Sequence, residues 1–354
     1  MKKVRLIALY LPQFHPIPEN DEWWGKGFTE WTNTAKAKPL FRGHYQPHVP
    51  ADLGFYDLRL SESRVAQAKL AEEYGIEAFC YYHYWFAGRR ILERPFNEVL
   101  SSGKPKFSFC LCWANETWSG IWHGLRDKIL IEQTYPGKED YINHFNSLLI
   151  AFKDERYLKI NGKPIFVIYK PFNIPDLERL MDLWNDMATK SGLKGIHFVS
   201  MQRPSNEAEY KIFEAFTVPN LPTVRSVEWI SKKRLLARMQ RSFLRKVGTP
   251  TIYSYAEIAL GILDNGLPTA KNYPCLVPNW DNTPRSGSNG LVLDGSTPDL
   301  FRNQLKKAIE MSINKPLENR IIFIKSWNEW AEGNYLEPDL KYGLSYLKVI
   351  QQEI

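Results

Sequence analysis

Two glutamates near the C-terminus have the spacing that most clearly suggests chemistry. Glu329 and Glu332 lie in the segment Ser326-Trp-Asn-Glu-Trp-Ala-Glu-Gly333, directly after the hydrophobic run 320–325. A carboxyl pair flanked by Trp327 and Trp330 just past a buried strand favours acids with tuned pKa values. The alternative is that both glutamates cap the following turn, but capping favours single Ser, Thr, Asp or Asn residues and requires no indoles. We therefore predict that the two glutamates are catalytic.

Cleavage of a glycosidic bond is the chemistry that such a pair supports. One carboxyl protonates the leaving oxygen, and the other acts as a base or a nucleophile. If the segment forms a helical turn, the Cβ atoms of residues three apart lie roughly 5–6 Å from each other. That distance is nearer to the carboxyl spacing of retaining enzymes than to the wider spacing of inverting ones. A looser loop would change the distance.

The composition is that of a soluble globular protein. The chain has 354 residues, of which 24% are charged and 44% hydrophobic, and no apolar run approaches the ~20 residues of a membrane-spanning helix. The start resembles a signal peptide only briefly, because Arg5 interrupts the apolar run and Pro12 ends it. We expect a cytoplasmic protein.

Aromatic residues and positive charge are the distinctive features of the composition. The net charge is +7, with 12 Trp, 18 Tyr and 19 Phe residues. Such a surplus of rings is typical of stacking on sugars or nucleobases, and the charge favours anionic partners such as phospholipid surfaces or diphosphate-linked sugars. The four cysteines, Cys80, Cys110, Cys112 and Cys275, form no metal-ligand pattern and are predicted to be buried thiols. No metal site, no cofactor and no nucleic-acid partner is expected.

Strand-like and helix-like segments alternate along the chain, which indicates βα units and a parallel sheet. The predicted strands are 4–10, 76–83, 107–113, 165–169, 196–201, 215–218, 275–280 and 321–326. The predicted helices are 61–74, 95–101, 138–152, 175–190, 205–213, 254–263, 297–313 and 342–351. This count predicts a (β/α)8 TIM barrel, as one catalytic domain over residues 1–354. A doubly wound sheet is the alternative, but it would normally have a glycine-rich loop after the first strand, and Tyr10-Leu-Pro-Gln-Phe-His-Pro16 is not one.

Two inserts interrupt the alternation, at about 12–60 and 219–250. The first is aromatic and could either form a wall of the site or pack as a cover over the barrel end. The second contains the basic amphipathic segment 232–246. This segment suits peripheral contact with an anionic membrane surface, and it equally suits an outer barrel helix with a solvated basic face.

Polar and aromatic residues follow the predicted strands, and in a barrel the carboxyl ends of the strands form the site. Rings can stack on sugar faces, while amides, acids and hydroxyls bind sugar hydroxyls. Three further acids, Glu30, Glu116 and Asp281, could bind substrate or form structural salt bridges. The histidines His15 and His83 could bind sugar hydroxyls or transfer protons, or they could be structural. The predicted substrate-binding residues are Tyr10, His15, Glu30, Trp31, Tyr82, His83, Trp85, Trp113, Asn115, Glu116, Tyr169, Trp280, Asp281, Trp327, Asn328 and Trp330.

Five motifs together resemble the WbsX-type proteins of bacterial surface polysaccharide clusters. They are Trp24-Gly-Lys-Gly-Phe-Thr-Glu-Trp31, Gly43-His-Tyr-Gln-Pro-His48, Trp113-Ala-Asn-Glu-Thr-Trp118, Asn279-Trp-Asp-Asn-Thr-Pro-Arg285 and Trp327-Asn-Glu-Trp-Ala-Glu-Gly333. That family is similar in turn to the endo-α-mannosidase glycoside hydrolases. The resemblance implies that Glu329 is the base at the sugar 2-hydroxyl and that Glu332 is the acid/base at the glycosidic oxygen. It also implies retention through a 1,2-anhydro sugar.

We therefore expect an enzyme of O-antigen or capsule polysaccharide metabolism. It would be a retaining glycoside hydrolase or transglycosidase that acts on an oligosaccharide or polysaccharide, free or lipid-linked, in the cytoplasm or at the inner face of the cell membrane. One alternative is a glycosyltransferase of O-antigen biosynthesis, the label that WbsX-type proteins commonly carry, although the chain lacks the usual Asp-x-Asp motif. The other alternative is a non-catalytic glycan-binding protein.

Overall fold

Eight parallel strands form the centre of the molecule. The computed structural model describes residues 3–120, 129–222 and 248–354. In this part of the chain the central strands are β1 Arg5–Tyr10, β2 Ala78–Phe86, β3 Ser108–Trp113, β4 Lys163–Ile168, β5 His197–Ser200, β6 Ala215–Phe216, β7 Cys275–Leu276 and β8 Ile321–Ile324. Their order is β6-β5-β4-β3-β2-β1-β8-β7, and every neighbouring pair is parallel.

Backbone hydrogen bonds between β6 and the segment that leads into β7 close the sheet. The Phe216 amide donates to the Lys271 carbonyl at 2.8 Å, and the Tyr273 amide donates to the Phe216 carbonyl at 2.8 Å. A closed parallel sheet has no free edge, and all of its strands end on one side of the barrel. The predicted (β/α)8 barrel is confirmed.

Helices follow the strands in the predicted order. They are α1 Ser61–Glu73, α2 Arg94–Ser102, α3 Lys138–Lys153, α4 Leu177–Lys190, α5 Glu207–Ile212, α6 Tyr255–Ile258, α7 Pro298–Ser312 and α8 Ser345–Glu353. Only α6 differs greatly from its prediction, which extended to residue 263. Gly261 lies in that stretch, and glycine is a poor helix former. None of the described helices is long and apolar enough to cross a membrane.

The seventh strand is shorter than predicted, because β7 ends at Leu276 and not at residue 280. Pro278 follows, and proline has no amide hydrogen to donate to a neighbouring strand. Trp280–Asp281 instead pairs in antiparallel fashion with Leu291–Asp294, which pairs in parallel with Thr251–Ser254. This three-stranded sheet was not predicted.

The first insert lies against the end of the barrel. It contains the short helices Pro18–Trp24 and Glu30–Lys36. The second helix begins with a capping box, in which the side chains of Thr29 and Thr32 each accept a hydrogen bond from a backbone amide. Backbone hydrogen bonds attach the insert to the C-terminal region, from Ala51 to Pro338 at 2.9 Å and from Leu340 to Val49 at 2.9 Å. The basic segment 232–246 of the second insert lies outside the described residues.

Aromatic side chains fill the layer between the barrel and its helices. Trp184 of α4 is fully buried, and its ring centroid lies 5.0 Å from that of Phe166 on β4 and 5.6 Å from that of Phe145 on α3. Its Nε1 donates to the Tyr141 carbonyl at 3.0 Å. All four cysteines are free and buried, as predicted.

Trp184→Ala is expected to lower the free energy of unfolding by about 3–5 kcal/mol, because it leaves a large cavity between α3, α4 and the barrel. Urea denaturation followed by circular dichroism measures the change. The control is Ile150→Ala on α3, a side chain that is 72% exposed, with an expected change within about 0.5 kcal/mol. Equal effects of the two substitutions would contradict this account of the core.

Candidate active site

A cavity of about 340 Å³ opens at the carboxyl ends of the strands. This volume is within the range of small-molecule sites. Its lining residues come from the barrel, the first insert and the segments after β7 and β8. They are Leu11, Gln13, Trp24, Glu30, Tyr82, Tyr84, Ala114, Glu116, Thr117, Trp118, Ser119, Leu130, Tyr169, Trp280, Asn282, Arg285, Lys325, Glu329 and Glu332. The cavity therefore lies where the barrel fold predicts a site.

Glu329 and Glu332 reach the cavity from a tight turn after β8. Asn328–Glu329 pairs with Asn334–Tyr335, and Trp330–Glu332 between them forms one turn of 3-10 helix. Glu329 precedes this turn with φ of −83° and ψ of 67°, and Glu332 is the last residue of the turn. The helical turn on which the spacing prediction depended therefore includes Glu332 and not Glu329.

Gly333 ends the turn in the left-handed region, with φ of 55°. A Cβ atom there would lie 2.8 Å from the backbone nitrogen of Asp281. Both the conformation and the close approach require glycine, so the last residue of the motif allows the turn to pack against residue 281.

Two cations lie among three carboxyl groups at the floor of the cavity. Lys325 Nζ lies 3.2 Å and 3.3 Å from the carboxyl oxygens of Glu329, and 3.8 Å from Glu332 Oε2. Arg285 bridges two acids, with Nη1 2.5 Å from Glu332 Oε1 and Nη2 3.0 Å from Glu30 Oε2. We call these five residues the charge cluster.

The two proposed catalytic acids have opposite pKa shifts. Burial, with Glu332 close by, raises the pKa of Glu329 to about 8 even though Lys325 opposes the shift. Burial would also raise the pKa of Glu332, but Arg285, hydrogen bonding with Glu329 and Lys325 together lower it to about 2. A single proton on the pair leaves two carboxylates beside two cations, so the charge cluster is then neutral.

Aromatic rings form much of the cavity wall. Trp24 comes from the first insert, Tyr82 and Tyr84 from β2, and Trp118 and Trp280 from segments after β3 and β7. Rings of this kind stack on the apolar faces of sugars and leave the sugar hydroxyls to polar groups. Glu116 is a fourth acid at this wall, and burial raises its pKa.

Some of the predicted site residues meet in the cavity and others do not. Those that line it are Glu30, Tyr82, Glu116, Tyr169, Trp280, Glu329 and Glu332. The remaining predicted residues do not line this cavity, and all of them are buried or half-buried: Tyr10, His15, Trp31, His83, Trp85, Trp113, Asn115, Asp281, Trp327, Asn328 and Trp330.

Strand alternation explains how the predicted residues of β2 divide. Successive side chains of a strand point to opposite faces. Tyr82 and Tyr84 face the cavity, whereas His83 and Trp85 face α3, where Nε2 of His83 lies 2.8 Å from Nε2 of His144 and Trp85 Nε1 donates to Asp140. Tyr84 is a lining residue that the sequence analysis missed, although the period of two identifies it.

Two polar side chains hold Arg285 and the turn with Glu329 and Glu332 in place. Asn328 accepts from the Leu11 amide at 2.7 Å and donates to the Leu11 carbonyl at 3.0 Å, which fixes the turn to the end of β1. Asp281 accepts from His44 and Gln46 of the insert, provided that the His44 Nε2 carries a proton, and from Thr283. Thr283 begins the short helix that carries Arg285. These predicted site residues therefore position charged groups.

Glu337 is a buried acid that the sequence analysis did not identify. Its carboxyl group accepts from Trp330 Nε1 at 2.6 Å, Tyr56 Oη at 2.8 Å and Gln67 Nε2 at 2.6 Å. Burial raises its pKa to about 7. The Trp330 ring also stacks on Tyr335, with centroids 3.9 Å apart. The indole of Trp330 is thus directed at Glu337 and not at the cavity.

Other lining residues were missed as well, chief among them Arg285 and Lys325. Arg285 ends one of the quoted motifs, and Lys325 is a charged residue at the end of an apolar strand. Either feature could have identified them. Within the three described stretches, no group of three or more His, Cys, Asp or Glu residues could hold a metal ion.

The sequence matches one family model over most of its length. The model is described as glycosyltransferase WbsX and matches residues 6–350. Two curated proteins described as uncharacterized protein WxcX, from Xanthomonas campestris pv. campestris strains B100 and ATCC 33913, are each 37% identical over 356 residues. These alignments cover 99% of this chain and 49% of each relative. The chain thus spans about half the length of the curated relatives it matches.

Solved structures share the fold at low sequence identity. A glycoside hydrolase-like protein superimposes with a TM-score of 0.60 and 15% identity, over 100% of this chain and 94% of its own. The GH99 endo-alpha-mannosidase from Bacteroides thetaiotaomicron has a TM-score of 0.59 and 15% identity, over 99% and 96% of the two chains. At this identity the likeness establishes a common barrel fold.

The opposite pKa shifts of Glu329 and Glu332 predict the protonation state of the pair at neutral pH. We expect Glu329 to be protonated and Glu332 to be ionised at pH 7. Because the pKa of Glu329 is raised to about 8 by burial, the stability that its proton contributes decreases as the pH rises from the usual glutamate range through about 8. Carbon-13 NMR of glutamate side chains measures both titrations, with Glu329→Gln and Glu332→Gln for assignment. Two independent titrations near the ordinary glutamate pKa would contradict the prediction.

Glu337→Leu is expected to lower the free energy of unfolding by about 2–4 kcal/mol, because three buried donors lose their acceptor. Glu155→Leu, at a carboxylate that is 80% exposed, is the control and should change it little. Chemical denaturation of both variants provides the comparison. Wild-type stability of Glu337→Leu would show that these hydrogen bonds contribute nothing to the fold.

Proposed function

The chain belongs to the WbsX glycosyltransferase family, and on this premise we propose that it cleaves or transfers glycosyl units of a bacterial surface polysaccharide. The observation that carries the proposal is the pair formed by buried Glu329 and half-buried Glu332 in an aromatic cavity. Rings supply sugar binding, and a carboxyl pair that holds one proton supplies a base and an acid together.

The resemblance to endo-α-mannosidases gives each acid a role. Glu329 takes the proton of the sugar 2-hydroxyl, and that oxygen forms a bond to C1. The bond from C1 to the leaving oxygen breaks, and Glu332 gives its proton to that oxygen. Water or a sugar hydroxyl then attacks C1, Glu332 takes its proton, and Glu329 returns a proton to the 2-oxygen. The 1,2-anhydro ring opens in this step, and two displacements at C1 give net retention.

These roles require the proton to move within the pair before the reaction. In the free protein the raised pKa of Glu329 favours the proton on this residue, whereas the proposed base must be ionised. A sugar 2-hydroxyl that donates to Glu329 would stabilise its carboxylate, and a glycosidic oxygen that accepts from Glu332 would stabilise its acid form. Because the two carboxyls titrate as a pair, substrate binding can shift the proton between them.

The charges of the cavity favour a neutral glycoside over a nucleotide sugar as the donor. Among the lining side chains that the structure describes, Arg285 and Lys325 are the cations, and both are ion-paired with carboxylates. A diphosphate at this site would face carboxylates without a free cation among the described lining residues to compensate it. A glycosyltransferase that uses a nucleotide sugar is the second candidate function, and the description of the family model favours it.

The place of action and the form of the substrate are further parts of the proposal. We propose a carbohydrate substrate, free or lipid-linked, and action in the cytoplasm or at the inner face of the cell membrane. The basic segment 232–246 is the proposed membrane contact. Because this segment lies outside the described residues, the contact remains a sequence-based prediction.

Glu329→Gln and Glu332→Gln are each expected to lower turnover by about 10²–10⁴-fold, the usual contribution of a general acid or base. Mass spectrometry of products from the surface polysaccharide of the source bacterium measures turnover. Glu155→Gln is the matched control, because Glu155 is an exposed glutamate that does not line the cavity. We expect wild-type activity for this variant.

Three outcomes would contradict the proposal in different ways. Turnover of a nucleotide sugar, with none on glycosides of matching configuration, would support the transferase. Unchanged product formation in both glutamine variants would exclude the pair from the chemistry. Glycan binding without any turnover would support a binding protein.

A further inference from the structure

Lys325 is a buried cation to which the sequence analysis gave no role. It follows β8 and is 5% exposed. Its ammonium group contacts both carboxyl oxygens of Glu329, and Nζ donates to Tyr82 Oη at 3.3 Å. The rings of Tyr82 and Trp280 have their centroids 5.8 Å and 5.5 Å from the same nitrogen. These contacts hold the charge beside Glu329.

The other cation of the charge cluster is directed elsewhere. Arg285 pairs with Glu30 and Glu332, and none of its described ion pairs includes Glu329. Lys325 lies 0.6 Å closer to Glu329 than to Glu332, at 3.2 Å against 3.8 Å. Lys325 is thus the cation closest to Glu329, and Arg285 is the cation closest to Glu332.

The remaining ionisable groups near the pair come from several elements and add no further cation among the described lining residues. Tyr82 and Tyr84 extend from β2, Glu116 follows β3, Tyr169 follows β4, and Glu30 belongs to the first insert. Phenols and acids do not compensate a negative charge. If Glu329 is to be ionised in this buried place, the lysine in contact with it provides the larger part of the compensation, and the more distant Arg285 adds a smaller part.

We propose that Lys325 is a positioning residue that stabilises the Glu329 carboxylate and so enables Glu329 to act as the base while the shared proton is on Glu332. The inference rests on the proposed function of the pair. Its physical basis is the short contact in a buried setting, where a charge pair interacts more strongly than it does in water. Tyr82 contributes by accepting a hydrogen bond from the ammonium group and thereby orienting it.

The test compares three substitutions in the free protein. Lys325→Met removes the charge, and Lys325→Arg retains it on a side chain of different shape. Lys170→Met is the matched control, because Lys170 lies after β4 with Nζ 5.2 Å from the Tyr169 ring centroid and has no described ion pair with Glu329 or Glu332. Carbon-13 NMR of the labelled glutamates follows the titration of the pair, and no substrate is needed.

We expect the upper titration midpoint of the pair to rise by one pH unit or more in Lys325→Met, and to return towards the wild-type value in Lys325→Arg. Lys170→Met should titrate as the wild type does. With the polysaccharide substrate, the acidic limb of the pH–activity profile should move to higher pH in Lys325→Met, because Glu329 then ionises only at higher pH.

A wild-type titration of the pair in folded Lys325→Met would overturn the proposal, since a merely structural lysine would leave the midpoint unchanged. If the methionine variant does not fold, Lys325→Gln replaces it as the variant without the charge. A midpoint that rises in Lys325→Gln and not in Lys325→Arg then supports the proposal, and equal midpoints in these two variants would overturn it. The result is distinguishable from a failure of the proposed function, which depends on turnover by Glu329→Gln and Glu332→Gln and not on this titration.

Discussion

The neutrality of a buried charge cluster is the constraint on which the cavity depends. Carboxylates are costly to bury unless cations and hydrogen bonds compensate them. Here Arg285 and Lys325 are set against Glu30, Glu329 and Glu332, and one proton balances the sum. Removal of either cation or of an ionised carboxylate would leave a charge unpaired in this setting. The first insert, the short helix that carries Arg285 and the turn after β8 all contribute to this balance.

A second layer of polar side chains supports this cluster from behind. Asp281 connects the insert to the helix of Arg285, Asn328 connects the turn to β1, and Glu337 holds the indole of Trp330. Each of these groups is buried and has several hydrogen-bond partners, so its orientation is well determined. The motifs around Glu329 and Glu332 thus consist largely of supporting residues, and few of these residues reach the cavity.

The sequence predicted the barrel and drew attention to two acids that line the cavity, because both depend on local signals. Alternating strand and helix patterns identify βα units, and the segment around Glu329 is chemically distinctive. The division of β2 into Tyr82 and Tyr84 on one face and His83 and Trp85 on the other was also accessible, through the period of two. The ion pairs of Arg285 could not be predicted, because they depend on how segments far apart in sequence meet. The end of β7 was misplaced because Pro278 interrupts a strand-like pattern that continues to residue 280.

The ion pair between the first insert and the short helix that carries Arg285 has a consequence for the order of folding. Glu30 and Arg285 are 255 residues apart, so their contact closes a very large loop and cannot form before the barrel brings both segments together. Until then the helix that carries Glu30 would have to bury a carboxylate without its partner. The insert therefore needs a completed barrel to be stable in its final position. Before that stage, the end of the barrel that holds the cavity is open to solvent.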